Sequence, residues 1–304
     1  MNRKTINIMS SCDENYAKLV PVQLFSIADN LIGIYDVNYY LFHNRVSEET
    51  IASLNDYCER LGIVFHEIYI ENTEPYEALS SKGGSWVYEA YLPFECHKYL
   101  PHDAERALYI DAADVLIIGD IGDYYFSGFD DRSIIVTCSR YKKNSNGSFS
   151  VFDRDDLGDE ESRLGILRGL FNSGSYIMNL DKLRNDGSSI NDFIAMKNAL
   201  VEIYPNKNDI YFGDQGLLAA SLVGDIKYFG YPEVKNLWYQ PYNFCIWFFD
   251  RSTEICGGNP WYVPKILHFA GGMKPWKLTK ENEKDLKPGQ WSFYKIYQLY
   301  ARQV

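Results

Sequence analysis

Leu108-Tyr109-Ile110-Asp111-Ala112-Ala113-Asp114-Val115-Leu116-Ile117-Ile118 sets two carboxylates between two apolar, β-prone runs. A soluble protein gains nothing by burying unpaired acids at such a point, because charge taken out of water is costly unless something neutralises it. Outward from this stretch, strand-like and helix-like patterns alternate. Thr5 to Ser10, Val37 to Phe42, Ile63 to Ile70 and Ala107 to Ile110 read as strands. After the polar turn Ser11 to Asn15, a helical pattern runs to about Asp29. A second helix opens at Ser47, a good N-cap followed by Glu48 and Glu49, and stops at Gly62. A third is expected near Ser85 to Leu100, interrupted by Pro93. This alternation predicts an α/β fold, a mostly parallel central sheet with helices on both faces. Ligands of such sheets bind outside the carboxyl ends of the strands, where Asp111 falls. The acidic pair therefore reads as a metal site or as the caps of a turn.

Bulk composition narrows the classes. With 46% apolar and 23% charged residues, the 304-residue chain can build a sizeable core. Its net charge of -11 argues against nucleic acid and against anionic lipid, both of which call for dense Lys and Arg. Twenty-five tyrosines fit a Tyr-rich core or a carbohydrate cleft, since the ring joins an apolar face to a polar tip. Six scattered cysteines (Cys12, Cys58, Cys96, Cys138, Cys245, Cys256) without a C-x-x-C pair read as buried thiols of a reducing compartment. With no signal-peptide pattern and no long apolar run, cytoplasmic is the expected location.

Further along, Arg140 to Leu164 is rich in Asn, Ser, Asp and Glu and is expected to be a long loop or lid. Ser175 to Asn179 reads as a strand, and Ile190 to Tyr204 and Gln215 to Leu222 as helices. From Tyr228 to Pro264 the chain is crowded with aromatic residues and proline. Within it, Trp238-Tyr239-Gln240-Pro241-Tyr242 and Trp247 are candidates for acceptor contact or for core.

Chemistry gathers at four other places. His268-Phe269-Ala270-Gly271-Gly272-Met273-Lys274-Pro275-Trp276 follows a β-like run and offers an imidazole, glycines that let a ligand approach the backbone, and a compact positive charge suited to phosphate. Phe171-Asn172-Ser173-Gly174 precedes a strand, and Gly213-Asp214-Gln215-Gly216 precedes a helix; either could be ordinary turn chemistry. Asp13, Asn15 and Tyr16 follow the first strand, where helix capping is an equal reading.

Taken in order, these motifs resemble glycosyltransferase family 8, the retaining enzymes that include glycogenin and the bacterial lipopolysaccharide galactosyl- and glucosyltransferases. The resemblance runs from about Ile6 to Trp276, and its most specific parts are Tyr-Ile-Asp-x-x-Asp and His-x-x-Gly-x-x-Lys-Pro-Trp. It implies one GT-A domain over residues 1–276, a Rossmann-like nucleotide-diphospho-sugar transferase, with residues 277–304 as a helical or extended tail. It implies a UDP-sugar donor, Mn2+ with Mg2+ as the alternative, and transfer of a hexose, glucose or galactose, to a carbohydrate or glycolipid acceptor in lipopolysaccharide or polysaccharide biosynthesis. By motif matching, Asp111, Asp114 and His268 hold the metal; Asp13, Asn15 and Tyr16 meet the uridine; Gly271 and Lys274 contact the diphosphate. Asn172, Asp214 and Gln215 line the donor sugar, with Asp214 on its hydroxyls and Gln215 beside the anomeric carbon. An amide is a poor nucleophile, which favours front-face attack through an oxocarbenium-like state. Family members often dock on membranes through a basic tail; here the tail is mixed in charge, and peripheral association stays open.

Two departures stand out. The family writes Asp-x-Asp, and side chains alternate along a strand, so Asp-Ala-Ala-Asp can reach one metal only if the chain turns or bulges after Asp111. The family also carries an Arg on the preceding helix, where Tyr91 stands here. Both would suit a degenerate, non-catalytic nucleotide-sugar-binding protein, the competing reading. A sugar-nucleotide pyrophosphorylase would need a basic glycine-rich loop after the first strand, where this chain is acidic. A dehydrogenase would need G-x-G-x-x-G.

Overall fold

The computed structural model describes residues 3–80, 87–137, 141–146, 149–151, 154–156, 158, 170–203, 213–230, 239–246 and 263–304. Its strands in chain order are β1 (Thr5–Ser11), β2 (Asp36–His43), β3 (Val64–Tyr69), β4 (Arg106–Ile110), β5 (Val115–Ile117), β6 (Ile134–Val136), β7 (Tyr141–Lys143), β8 (Phe149–Val151), β9 (Ser175–Asn179), β10 (Ile226–Tyr228), β11 (Tyr239–Gln240), β12 (Asn243–Cys245) and β13 (Ile266–His268).

The main sheet has the order β10-β6-β9-β4-β1-β2-β3. Strand β9 runs against β4 and β6, and every other pair is parallel, so the sheet is mostly parallel as expected. Side-chain alternation sends Ile8, Tyr39, Leu41, Leu108 and Ile110 to one face and Met9, Tyr40, Phe42 and Tyr109 to the other. Helices Val20–Leu31 and Glu48–Leu61 cover the first face, and Ile190–Ile203 and Gly213–Leu222 cover the second. Helix Glu48–Leu61 begins and ends where its residues dictate. The Ser47 hydroxyl accepts from Thr50 N, and Gly62 takes the left-handed conformation at φ 77°.

A smaller sheet, β11-β12-β13-β5, stands beside the first. Strand β5 continues directly from the acidic pair and runs antiparallel to β13, which brings Val115 opposite His268. Phe244, Leu267, Phe269, Tyr294 and Tyr297 pack here with Leu116, the last two tyrosines coming from helix Trp291–Ala301. Among the described residues no helix is long and apolar enough to cross a membrane.

The structure corrects three expectations. Of the proposed helix from Ser85 to Leu100, Ser85 lies outside the described residues, and the remainder is a 3-10 helix, Tyr88–Glu95, followed by one α-turn, Cys96–Tyr99. Pro93 lacks an N–H to donate and its ring crowds the carbonyl four residues back, so a continuous α-helix cannot form. The described parts of Arg140 to Leu164 include the antiparallel ribbon of β7 and β8 and a 3-10 turn, Arg154–Asp156, so that segment is not structureless loop. Of the aromatic acceptor candidates, Tyr242 is core: it is buried, stacks on Tyr124 at 5.0 Å and donates its hydroxyl to Asp123. Gln240 is buried too, while Trp238 and Trp247 lie outside the described residues. Tyr39, Tyr91, Tyr124, Tyr125 and Tyr176 are likewise fully buried, so these tyrosines build core. Cys12, Cys58, Cys96 and Cys245 are buried free thiols; Cys138 and Cys256 lie outside the described residues.

Candidate active site

Between β4 and β5 the chain makes a tight turn. Ala113 adopts φ 61°, a left-handed conformation uncommon outside glycine, and Asp114 N donates to Ala112 O at 2.7 Å. This turn supplies the reversal that Asp-x-x-Asp requires, turning both carboxylates toward one point. Asp111 N donates to Gly174 O at 3.2 Å, which ties the turn to the start of β9. Phe269 N donates to Asp114 O at 2.8 Å, which ties it to the end of β13. Together these contacts place one ligand atom each from Asp111, Asp114 and His268 within 4.8 Å of one another.

The charges around that point are unbalanced. Asp111 Oδ1 accepts from the Tyr109 hydroxyl at 3.0 Å, and its Oδ2 lies 3.3 Å from His268 Nε2. Asp114 Oδ2 is 2.5 Å from Lys274 Nζ, while its Oδ1 is buried and has no hydrogen-bond partner. Burial pushes the Asp114 carboxyl above its ordinary pKa, against the pull of Lys274 and with the push of Asp111. His268 Nδ1 lies 3.0 Å from Asn172 Oδ1 and 3.2 Å from Asn243 Oδ1. Asn172 Oδ1 also accepts from Gly174 N and from Asn243 Nδ2, so it is an acceptor and Nδ1 carries the hydrogen. That fixes the ring with Nε2 toward Asp111, and Gly174 leaves the room: a Cβ there would fall 2.1 Å from His268 Cε1.

A lone pair on Nε2 facing a carboxylate is repulsive unless a positive charge stands between them. Burial lowers the imidazole, but Asp111 and the Cys245 sulfur outweigh it and raise His268 to about 10. A divalent cation could take the place of that proton, and it would also satisfy the orphaned Asp114 Oδ1. Two carboxylates and an imidazole whose second nitrogen is hydrogen-bonded behind it form a donor set that fits Mn2+.

The residues expected at the sugar stand beside this point. Asn172 Nδ2 donates to Gln215 Oε1 at 3.2 Å, and Ser173 N donates to the same oxygen at 3.4 Å. Asp214 is only 6% exposed; burial first and the Asp111 charge second raise its carboxyl to about 7. Asp13 and Asn15 sit at the carboxyl end of β1, beside the end of β4. There Asp13 also caps the helix Glu14–Ala17, its Oδ1 accepting from Tyr16 N at 3.0 Å. Burial, Asp114 and Asp111, in that order, push the Tyr16 phenol up to about 12, and its ring meets Trp276 edge-on at 5.8 Å. Gly271 is exposed at φ 95°, a conformation glycine adopts without strain.

Tyr91 is fully buried and edge-on to Phe94, so no donor contact is made from that position. Sequence reasoning missed Asn243, which has no motif around it; its only signal is a polar residue between the apolar Tyr242 and Phe244. It also missed the support beneath the acidic turn, a role given below to Gln23.

The sequence model of glycosyl transferase family 8 matches residues 7–280. A Haemophilus influenzae protein carrying a provisional description as a glycosyltransferase is 23% identical over 313 residues, 95% of this chain and 82% of its own. Among solved structures, the galactosyltransferase LgtC, in complex with donor and acceptor sugar analogs, superposes with a TM-score of 0.64 at 16% identity, over 98% of this chain and 96% of its own. The glycosyltransferase GlyE of Streptococcus pneumoniae gives 0.60 at 14% identity, over 98% of this chain and 60% of its own. These structural neighbours make the fold GT-A-like.

Proposed function

The chain belongs to glycosyl transferase family 8 and is a glycosyltransferase that works on a nucleotide sugar. On that premise we propose that it moves a hexose, glucose or galactose, from a UDP-sugar to a carbohydrate or glycolipid acceptor, keeping the anomeric configuration. In this reading Asp111, Asp114 and His268 hold Mn2+. The observation that carries it is the convergence of three ligand atoms on a buried Asp114 oxygen that has no other partner.

When bound, Mn2+ supplies positive charge against the charge that builds on a diphosphate leaving group. The chain's own residues do the rest. Lys274, held beside Asp114, is within reach of a phosphate bridging to that point. Tyr16 and Trp276 meet edge-on at the mouth, with Asp13 and Asn15 presented for the uridine. Asn172 orients the Gln215 amide toward the sugar by donating to its oxygen, and the buried Asp214 carboxyl is placed for sugar hydroxyls. With an amide and not a carboxylate at that position, front-face attack is favoured over a covalent intermediate.

The test is a screen of UDP-glucose and UDP-galactose for Mn2+-stimulated hydrolysis and transfer, with proton NMR of the first product. The expected product from an α-linked donor is α-linked. A β product would remove the retaining mechanism. UDP-sugar binding without any turnover would favour a non-catalytic binding protein.

A further inference from the structure

The acidic turn is held from beneath by a side chain that belongs to no motif. Strand β5 is the outer strand of the smaller sheet: β13 pairs one edge, and no strand covers the other. Along that free edge lies helix Val20–Leu31, whose buried stripe of Val20, Leu24, Ile27 and Leu31 is interrupted by two polar residues, Gln23 and Ser26, both fully buried. Such residues are costly in a core unless hydrogen-bonded.

They take the part of a missing strand. Gln23 Nε2 donates to Asp111 O and to Val115 O, each at 2.9 Å, so one amide spans the whole turn. Farther along, Ser26 Oγ accepts from Ile117 N at 3.1 Å, and Asn30 Nδ2 donates to Ile117 O at 3.1 Å. Carbonyl oxygens only accept, so the NH2 end of Gln23 must face the turn. Its Oε1 is held in turn by the Tyr39 hydroxyl at 2.9 Å and, more loosely, by Ser10 Oγ at 3.4 Å. The Ser10 hydroxyl also donates to Ile110 O at 2.7 Å.

We propose that Gln23 is a positioning residue for the metal site: by joining Asp111 O to Val115 O it holds Ala113 in its left-handed conformation and sets the separation of the Asp111 and Asp114 carboxylates. A two-residue interval between the acids leaves one peptide more than a strand ladder can absorb, and the amide closes the loop so formed. Gln23 does not touch the cation. It acts through the backbone that carries two of the three ligands, and this rests on the metal reading above.

The test measures Mn2+ affinity by paramagnetic resonance, with and without UDP, on the full chain. Gln23→Met keeps the volume and removes both donors; the affinity should fall about tenfold or more, as it does when supporting partners of metal ligands are lost. Ser26→Ala, on the same helix but at the far end of β5, should lower the thermal midpoint while leaving Mn2+ affinity within about twofold, since it contacts no part of the turn. Tyr39→Phe frees the Gln23 oxygen and should weaken Mn2+ about threefold, with little added effect once Gln23→Met is present. Should Gln23→Met fail to fold, Tyr39→Phe decides alone. Folded Gln23→Met, or in its absence Tyr39→Phe, with wild-type Mn2+ affinity overturns the proposal. So does an equal loss in Ser26→Ala, which would mean general destabilisation. Wild-type protein that binds no Mn2+ removes the metal reading and this proposal with it; wild-type binding that Asp114→Ala abolishes keeps the reading independent of the fate of Gln23.

Discussion

Lys274 Nζ stands 2.5 Å from Asp114 Oδ2 and 3.1 Å from Phe269 O, so one ammonium group binds the carboxylate that the proposed cation also needs. An ammonium and a divalent ion cannot both sit close to that oxygen without repelling each other. A phosphate arriving with the cation gives the lysine a new partner. Lys274→Met should therefore tighten Mn2+ binding without nucleotide by roughly threefold to tenfold, and weaken UDP binding in the presence of Mn2+ by a similar factor. Paramagnetic titration and calorimetry read the two separately. Changes in the same direction would contradict this exchange of partners.

Gly174 sits against the imidazole. A Cβ at this position would lie 2.1 Å from His268 Cε1 and 2.4 Å from Nδ1, so Gly174→Ala must displace the ring. The expected result is about a tenfold or greater loss of Mn2+ affinity with circular dichroism unchanged. Retained affinity would show that the ring can shift and still serve.

Gln215 is placed by Asn172 and Ser173, away from the phosphate side. Gln215→Ala should slow transfer by orders of magnitude and leave UDP affinity nearly unchanged, because the proposed contact is with the sugar. Isothermal titration with UDP and single-turnover kinetics give both quantities. A collapse of UDP binding alongside turnover would move Gln215 to the nucleotide.

Asp214 makes stability depend on pH. Its carboxyl is raised from 3.8 to about 7, chiefly by burial and then by Asp111. Between those values the native state holds a proton that the unfolded chain has released, so this contribution is complete below the unfolded value and is lost as pH rises toward 7. Urea midpoints in EDTA should decline across that window, and Asp214→Asn should flatten the decline. A slope that survives the substitution would assign the proton elsewhere.

Much of this fold was legible because its signals are local. The alternation that marked β1, β2, β4 and β9, and the caps Ser47 and Gly62, depend only on neighbouring residues. The direction of β9 was not legible, since a strand buried on both faces reads the same whichever way it runs. Nor was the 3-10 path of Tyr88–Glu95: Pro93 announces an interruption but not what replaces the helix. At the candidate site, Asp111, Asp114 and His268 could be named from motifs and were brought together. Asn243 and Gln23 could not, because each acts through a hydrogen bond to a residue far away in the chain. The one hint for Gln23 was a polar residue at helical spacing within an apolar stripe, a position that calls for a specific partner.

The left-handed Ala113 has a consequence for how such sites arise and how they are searched for. A residue added between two aspartates on a straight strand would throw one of them to the opposite face and end the site in a single step. Folded into a turn, the same addition is absorbed, and the two acids meet where they otherwise would. The quantity to be preserved during divergence is then a meeting place in space, and the gap in the text is free to drift. Pattern searches that insist on a single intervening residue will discard chains built this way. Searches that allow two, and ask for a buried amide on the neighbouring helix, should retain them.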